Sequence, residues 1–344
     1  MKIRVWKLLS LPGFLCLIFM AAGCQDLVDE YTGKSPEDIK TINITMVAKS
    51  SNNPVFLSAL VGAEAAAKNL SDKHSKIDIN IDWRTPTTED PQEQADRILN
   101  AVMDGTDAII VSCSDKDILT AAINIAVDSG VPVMTFDSDA PESKRFAFYG
   151  PDDLEIGETV MSELATQMGE KGRVAVLAGN QSAPNLQKRV EGVLKEAENH
   201  AGIEIIGVFY HAENAEEAAA EVIRVNDAYP DLKGWAMVGG WPLFSDALLD
   251  KIDPQEIKIV AVDALPIQLH YVEKGIVPVL LGQPTFRWGK VPVEKIIDKI
   301  YLNEEVPVIN QMRLFRVSME NLGGWSRQLR AWGYEDIPEK YLTM

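Results

Sequence analysis

From Thr41 almost to the end of the chain, short apolar runs alternate with stretches whose apolar residues recur at helical spacing. Ile42 to Ala48, Ile77 to Trp83, Ala108 to Ser112 and Val131 to Phe136 read as strands. Between them, helices are predicted from Pro54, from Pro91 to about Met103, and from the capping Asp115 to about Asp128. Turn residues at Tyr149-Gly150-Pro151-Asp152-Asp153 interrupt the rhythm. It restarts with helix Leu154 to Met168, strand Arg173 to Ala178, helix Pro184 to Ala197, strand Ile203 to Tyr210 and helix Ala215 to Ala228. Strand Gly234 to Val238, a helix near Pro242 to Leu249, strand Ile257 to Val262, a helix over Leu265 to Lys274 and strand Val277 to Gly282 complete the set. Gln283-Pro284 breaks it again before a helix to Leu302. Repeated βαβ units of this length imply parallel sheets covered by helices on both faces, here in two α/β units of similar build.

The most informative stretch is Val131 to Pro141, where an apolar run breaks abruptly into Asp137-Ser138-Asp139. The acidic cluster falls at a strand's carboxyl end, where open α/β sheets place their ligands. A carboxylate there accepts hydrogen bonds from neighbouring hydroxyls, which suits a sugar or polyol. A solvated turn has the same composition, because Asp and Ser are common turn residues. As a strand-end side chain, Asp137 is expected to be exposed and to contribute little to stability. Asp263 ends a second strand and is open to the same two readings, ligand contact or helix cap.

Composition narrows the function classes. With 344 residues, 46% of them hydrophobic, two domains are expected rather than one. A net charge of −18 argues against nucleic acid as a partner. At the N-terminus Lys2, Arg4 and Lys7 precede the apolar Leu8 to Met20, which is short for a bilayer span and reads as an export signal. Ala21-Ala22-Gly23-Cys24 follows and is similar to a bacterial lipobox, with Ala21 where Leu is usual; an ordinary secretory signal would end in similar small residues. Cleavage before Cys24 would remove three cations and no acids, taking the charge from −18 to −21. Residues 1–23 are thus expected to be a signal and 24–40 a tether, with Cys24 lipidated. Cys16 lies in the signal and Cys113 is left alone as a buried small hydrophobe, so no disulfide framework or metal-ligand spacing is legible. Ala178-Gly179-Asn180 lacks a complete dinucleotide fingerprint, and no complete Gly-x-x-x-x-Gly-Lys-Ser/Thr loop is present. No cofactor, metal or catalytic constellation is expected.

The strand ends carry an ordered series. It comprises Ser50-Ser51-Asn52-Asn53-Pro54-Val55-Phe56, Phe136-Asp137-Ser138-Asp139-Ala140-Pro141, Phe148-Tyr149-Gly150-Pro151-Asp152-Asp153, the segment Ala183 to Gly192, Val262-Asp263-Ala264 and Gly282-Gln283-Pro284. In this order and spacing the chain, from about Ile42 to Val317, resembles the type I periplasmic binding proteins, in the ribose-binding branch of sugar ABC transporters. The resemblance implies two Rossmann-like lobes joined by three crossovers, near Gly150, near Gln283 and near Arg313 to Val317. Residues 41–149 plus 284–312 would form the first lobe, and 150–283 plus 313–344 the second lobe and tail. It also implies a ligand cleft between the lobes that closes by hinge motion.

On the same resemblance, Asn53 and Phe56 match the first-lobe ligand loop, and Asp137 matches that lobe's main carboxylate. Asn185, Gln187 and Arg189 occupy the polar segment of a second-lobe helix, while Asp263 and Gln283 match second-lobe and hinge contacts. Three departures concern specificity: Val55 stands where a second aromatic is frequent, Ser138 where ribose binders often carry Arg, and Gly240-Trp241 in place of an Asn-Asp pair. The implied function is a monomeric, lipid-anchored solute-binding protein, periplasmic or at the cell surface. It would hand a neutral sugar or polyol other than ribose to the permease of an ABC importer. A sensory module serving a membrane receptor kinase uses the same closure. An exported carbohydrate-acting enzyme would need two carboxylates across the cleft, for which Asp137 and Asp263 are the available pair. Trp83 and Trp288 read as core, and Trp325 and Trp332 lie in a tail without an assigned role.

Overall fold

The computed structural model describes residues 39–344; the expected signal, Cys24 and nearly all of the expected tether lie outside these. The first lobe runs β1 (Lys40–Val47), α1 (Pro54–Lys73), β2 (Ile77–Trp83), α2 (Pro91–Met103), β3 (Ala108–Val111), α3 (Lys116–Asp128), β4 (Val133–Phe136) and β5 (Ala147–Gly150). The second runs α4 (Asp153–Met168), β6 (Gly172–Ala178), α5 (Pro184–Ala197), β7 (Ile203–Tyr210), α6 (Ala215–Ala228), β8 (Leu232–Met237), β9 (Lys258–Val262), α7 (Leu269–Glu273) and β10 (Val279–Gly282). The chain returns to the first lobe with α8 (Phe286–Ile300) and β11 (Ile309–Gln311). It then crosses to β12 (Phe315–Val317) and ends in α9 (Leu322–Ala331) and α10 (Glu339–Leu342).

Two six-stranded sheets result, ordered β11-β5-β4-β3-β1-β2 and β12-β10-β9-β8-β6-β7. Every described strand pair is parallel except β10 with β12. The sheets are nearly superposable in plan, and the chain passes between them after β5, after β10 and after β11. Strands buried on both faces explain the unbroken apolar runs: β3 and β4 are buried at every position. Helix starts follow their capping chemistry. Asn53 Oδ1 accepts from Val55 N at 3.2 Å with Pro54 beside it, and Asp90, Asp115 and Asp152 accept from the first free amides of α2, α3 and α4.

Each lobe also brings two helices together at glycines. A Cβ on Gly62 of α1 would sit 1.8 Å from Phe286 O, and one on Gly289 of α8 1.8 Å from Ala59 O. In the second lobe a Cβ on Gly157 of α4 would meet Arg189 O at 1.9 Å, and one on Gly192 of α5 Leu154 O at 2.2 Å. Replacing a helical Gly by Ala ordinarily stabilises by up to about 1 kcal/mol. Here the close approach to backbone reverses the sign. Gly157→Ala is expected to cost about 1–3 kcal/mol in chemical denaturation; a stabilised variant would show that α4 and α5 do not pack this closely.

Two of the elements that differ from the sequence reading lie beside the crossover and the site. The break at Tyr149-Gly150 is strand β5, whose Phe148 and Tyr149 pair with Thr135 and Phe136; four residues flanked by turn formers carry too little pattern to show. The helix expected near Pro242 to Leu249 is a single 3-10 turn, Trp241–Leu243. Tyr271 competes for that backbone: Leu248 N donates to its hydroxyl at 3.2 Å, and the hydroxyl donates to Ser245 O at 2.6 Å. The tail contacts both lobes. Leu322, Trp325, Leu329 and Tyr341 join the second-lobe core, while Trp332 stacks on Phe286 of α8 at 6.1 Å. Among the described residues no helix is long and apolar enough to cross a membrane.

Candidate functional site

The carboxyl ends of the two sheets face each other, and the same residue type ends the equivalent strand in each. Asp137 follows β4 and Asp263 follows β9, both in the left-handed region with φ of 57° and 71°. In each case the amide donates to the neighbouring strand, Asp137 N to Tyr149 O at 3.1 Å and Asp263 N to Leu281 O at 2.9 Å. Left-handed backbone is uncommon outside glycine, though Asp tolerates it better than most. Such strain collects at functional sites. Contrary to the exposed carboxylate expected from sequence, Asp137 is only 3% exposed. The second lobe closes over it.

A chain of polar contacts runs between the lobes. Asp137 Oδ2 accepts from Ser112 Oγ at 2.8 Å and Oδ1 from Asn185 Nδ2 at 3.4 Å, with Arg189 Nη2 at 4.0 Å. Lys49 Nζ donates to Asn185 Oδ1 at 3.1 Å. Arg189 is held from behind by Asp153 (Nε to Oδ1, 2.8 Å) and Val238 O (3.1 Å), and its Nη2 donates to Gln283 Oε1 at 3.3 Å. Gln283 Nε2 in turn donates to Asp263 Oδ1 at 2.7 Å. Burial pushes Asp153 up to about 6 despite the adjacent Arg189, and raises Asp263 as well. For Lys49, burial opposes the charged form, but Glu89, Glu213 and Asp137 outweigh it and its pKa is raised.

Of these groups, Lys49, Asp137, Asn185, Arg189, Asp263 and Gln283 line a cavity of about 30 Å³ together with Phe56, Glu213, Trp241 and Trp288. That is roughly the room of one water molecule, whereas small-molecule sites occupy about 300–1,000 Å³. A ring can enter only if the lobes separate. Phe56 meets Phe136 edge-on at 6.3 Å and lies 6.0 Å from Trp288, while Trp241 packs against His211 at 5.0 Å. At the edge far from the crossovers, Glu89 of the first lobe accepts from Asn180 Nδ2 of the second at 2.8 Å. Asn180 N donates to Glu213 Oε1 at 3.0 Å. Burial, and then Glu213, push Glu89 from 4.5 up to about 7, against the pull of Lys49.

Of the residues singled out from sequence, Asn53, Phe56, Asp137, Asn185, Arg189, Trp241, Asp263 and Gln283 come together around this cavity. Gln187 does not. Asn185 and Arg189 are four apart on one face of α5, so Gln187 between them points outward and donates to Gln181 O at 2.7 Å. Ser138 is fully buried behind Asp137 and does not line the cavity; its carbonyl accepts from Cys113 N. Asp139, from the same acidic cluster, is tied to Arg145 at 2.5 Å. Sequence reasoning missed Lys49, Glu213 and Trp288. A lysine directly after the apolar run of β1 was the available signal for the first. Trp288 reads as core from sequence, and it is 1% exposed, but it also forms part of the cavity wall.

A family model described as a periplasmic binding protein domain matches residues 44–301. The chain belongs to the periplasmic binding protein family. Among curated proteins, a D-ribose/D-allose-binding protein of Pseudomonas aeruginosa is 26% identical over 196 residues, 55% of this chain and 60% of that protein. The chain spans about half the length of the first curated relatives it matches, at 60%, 48% and 50%. Among solved structures, an ABC transporter solute-binding protein of Burkholderia graminis in complex with D-arabinose aligns with a TM-score of 0.74 at 22% identity, over 81% of this chain and 96% of that one. The structure of a XylFII-LytSN complex aligns equally well, with a TM-score of 0.74 at 22% identity, over 82% of this chain and 99% of that one. Both establish the family's two-lobed α/β architecture for this chain.

Proposed function

We propose that this chain is an extracytoplasmic solute-binding protein that captures a neutral sugar or cyclic polyol between its lobes and delivers it to an ABC importer. The observation that carries the reading is the matched pair of strand-end carboxylates, Asp137 and Asp263, held in left-handed backbone on opposite sides of one cavity. Carboxylates accept from hydroxyls in charge-assisted hydrogen bonds, and Phe56 and Trp241 supply apolar walls for the ring. Three carboxylates (Asp137, Glu213, Asp263) against two cations (Lys49, Arg189) line the cavity, which disfavours anionic ligands. The related binding proteins named for ribose, allose, xylose and xylitol support a sugar or polyol. Trp241, on the cavity wall where the resemblance places an Asn-Asp pair, argues for a ligand other than ribose. A thermal-shift panel of neutral monosaccharides and cyclic polyols, sugar phosphates, uronates, nucleosides and amino acids tests this. At roughly hundredfold excess over Kd the right ligand adds about 2.7 kcal/mol of stability. A response only to phosphorylated or acidic compounds would overturn the reading, and a largest shift with ribose would overturn the exclusion of ribose.

The same closure would serve a sensor. The XylFII-LytSN structure is the observation that favours this second reading, in which the liganded chain is presented to a membrane receptor kinase. In either role the chain would act as a monomer anchored through Cys24. Two acyl chains give stable anchoring where one does not, so Cys24→Ser should move the expressed protein to the soluble fraction; unchanged membrane retention would contradict lipidation.

Closure also has a pH signature. Separating the lobes would return Glu89 to water and to an ordinary carboxyl pKa, so closing would take up a proton. A carboxyl raised in the closed form favours closure below its open-state value and loses that advantage as pH rises through about 7. Lys49, Glu213 and Asn180 are the groups facing it. Affinity for the neutral sugar should fall roughly tenfold between pH 5 and pH 8, after discounting for partial exposure. Glu89→Gln should flatten that profile; an unchanged slope would place the titration elsewhere.

A further inference from the structure

We propose that the Trp288 indole N–H and the Lys49 ammonium donate hydrogen bonds to the bound molecule, so that the occupant must present neutral acceptor oxygens to this wall of the cavity. This rests on the proposed sugar-binding role and narrows it.

Two observations carry the inference. Trp288 is 1% exposed, and its Nε1 is buried without a hydrogen-bond partner. Indole N–H is a donor only, and buried donors are almost always satisfied. Two other buried indoles among the described residues obey that rule: Trp235 Nε1 donates to Asn226 Oδ1 at 2.9 Å and Trp325 Nε1 to Ala264 O at 2.7 Å. Trp288 differs from them in lining the interlobe cavity. Lys49 is 2% exposed and lines the same cavity, and of its three N–H donors one is used, on Asn185. Donors are thus left over where acceptors cannot come from solvent.

The chemistry of the occupant follows from both kinds of group. A hydroxyl can donate to Asp137 or Asp263 while accepting from an indole or ammonium, and each bond strengthens the other. An ammonium substituent at this position could donate to Asp137 or Asp263, but it could accept from neither the indole nor Lys49 and would be repelled by the latter. A carboxylate or phosphate would face a lysine already balanced by Glu89, Glu213 and Asp137. The wall therefore selects a hydroxyl or ring oxygen, and Trp288 acts as a specificity-determining residue rather than as core alone.

The test uses isothermal titration of the intact chain with D-ribose, D-xylose, D-arabinose, D-allose, D-galactose and myo-inositol, followed by monodeoxy analogues of the tightest binder. Trp288→Phe keeps an aromatic ring and removes the N–H. Its affinity for the parent sugar should fall about three- to tenfold, as for one neutral hydrogen bond. One monodeoxy analogue should bind parent and variant equally. Without sugar, the variant should melt close to the parent temperature, because parted lobes leave the N–H of the parent to water. Lys49→Met should lose about ten- to a hundredfold, as for a charged hydrogen bond. Undiminished binding by Trp288→Phe, or a loss of affinity matched by a lowered ligand-free melt, overturns the assignment and leaves the sugar-binding role standing. Failure of the parent protein to bind any of the six overturns both.

Discussion

Replacing Arg189 by leucine should destabilise the protein by about 3–5 kcal/mol, the largest single-residue effect expected in the second lobe. The guanidinium is 3% exposed and holds Asp153, Val238 O and Gln283 at once. Removing it strands the Asp153 carboxylate, itself buried and already raised to about 6 by that burial. A carboxyl whose pKa is raised on folding weighs against the fold above its unfolded-state pKa. The variant should therefore recover stability as pH falls toward 5. The double variant Arg189→Leu, Asp153→Leu should regain most of the loss, since a buried ion pair replaced by apolar groups is often neutral. Chemical denaturation of the three proteins at pH 5 and pH 8 decides. A single variant as stable as the parent would mean that Arg189 is not desolvated as described.

Asp137→Asn should weaken binding of the neutral sugar by about a hundredfold, the loss expected for two charge-assisted hydrogen bonds. Asparagine keeps the shape, tolerates the left-handed backbone at φ 57°, and can still accept from Ser112. The ligand-free melting temperature should therefore move little. Asp137→Ala is a poorer probe than the sequence suggested. It places a strained Cβ residue at positive φ and leaves Ser112 and Asn185 without their acceptor, so lost binding and lost stability would be confounded. Titration calorimetry on the Asn variant separates them, and retained affinity would remove Asp137 from the ligand's partners.

The α/β alternation was legible because buried parallel strands read as uninterrupted apolar runs with helix caps at regular intervals. β5 escaped because a four-residue strand set among Gly, Pro and Asp carries turn chemistry rather than a period. Around the cavity, the strand-end acids were visible because β4 and β9 break from apolar to charged in one residue. Lys49 and Trp288 were not, for a common physical reason. Burial of a lysine is decided by the opposite lobe, through Asn185 and Glu213, and sequence does not display a contact across 136 residues. An indole in an apolar helix face is indistinguishable from core until its N–H is seen to lack an acceptor. Gln187 illustrates the converse: polar composition marked the helix, but only its rotation against α4, set by Gly157 and Gly192, shows that Asn185 and Arg189 face inward.

The central claim is that ligand is held between lobes that must part to admit it, given a cavity of about 30 Å³ and direct contacts from Asp137 to Asn185 and from Glu89 to Asn180. Small-angle scattering of the intact chain, alone and with a saturating neutral sugar from the panel, addresses it in one comparison. The account predicts a larger radius of gyration for the free protein and a contraction on saturation toward the profile calculated from the structure described here. An identical radius in both states, with binding confirmed by calorimetry, would contradict it.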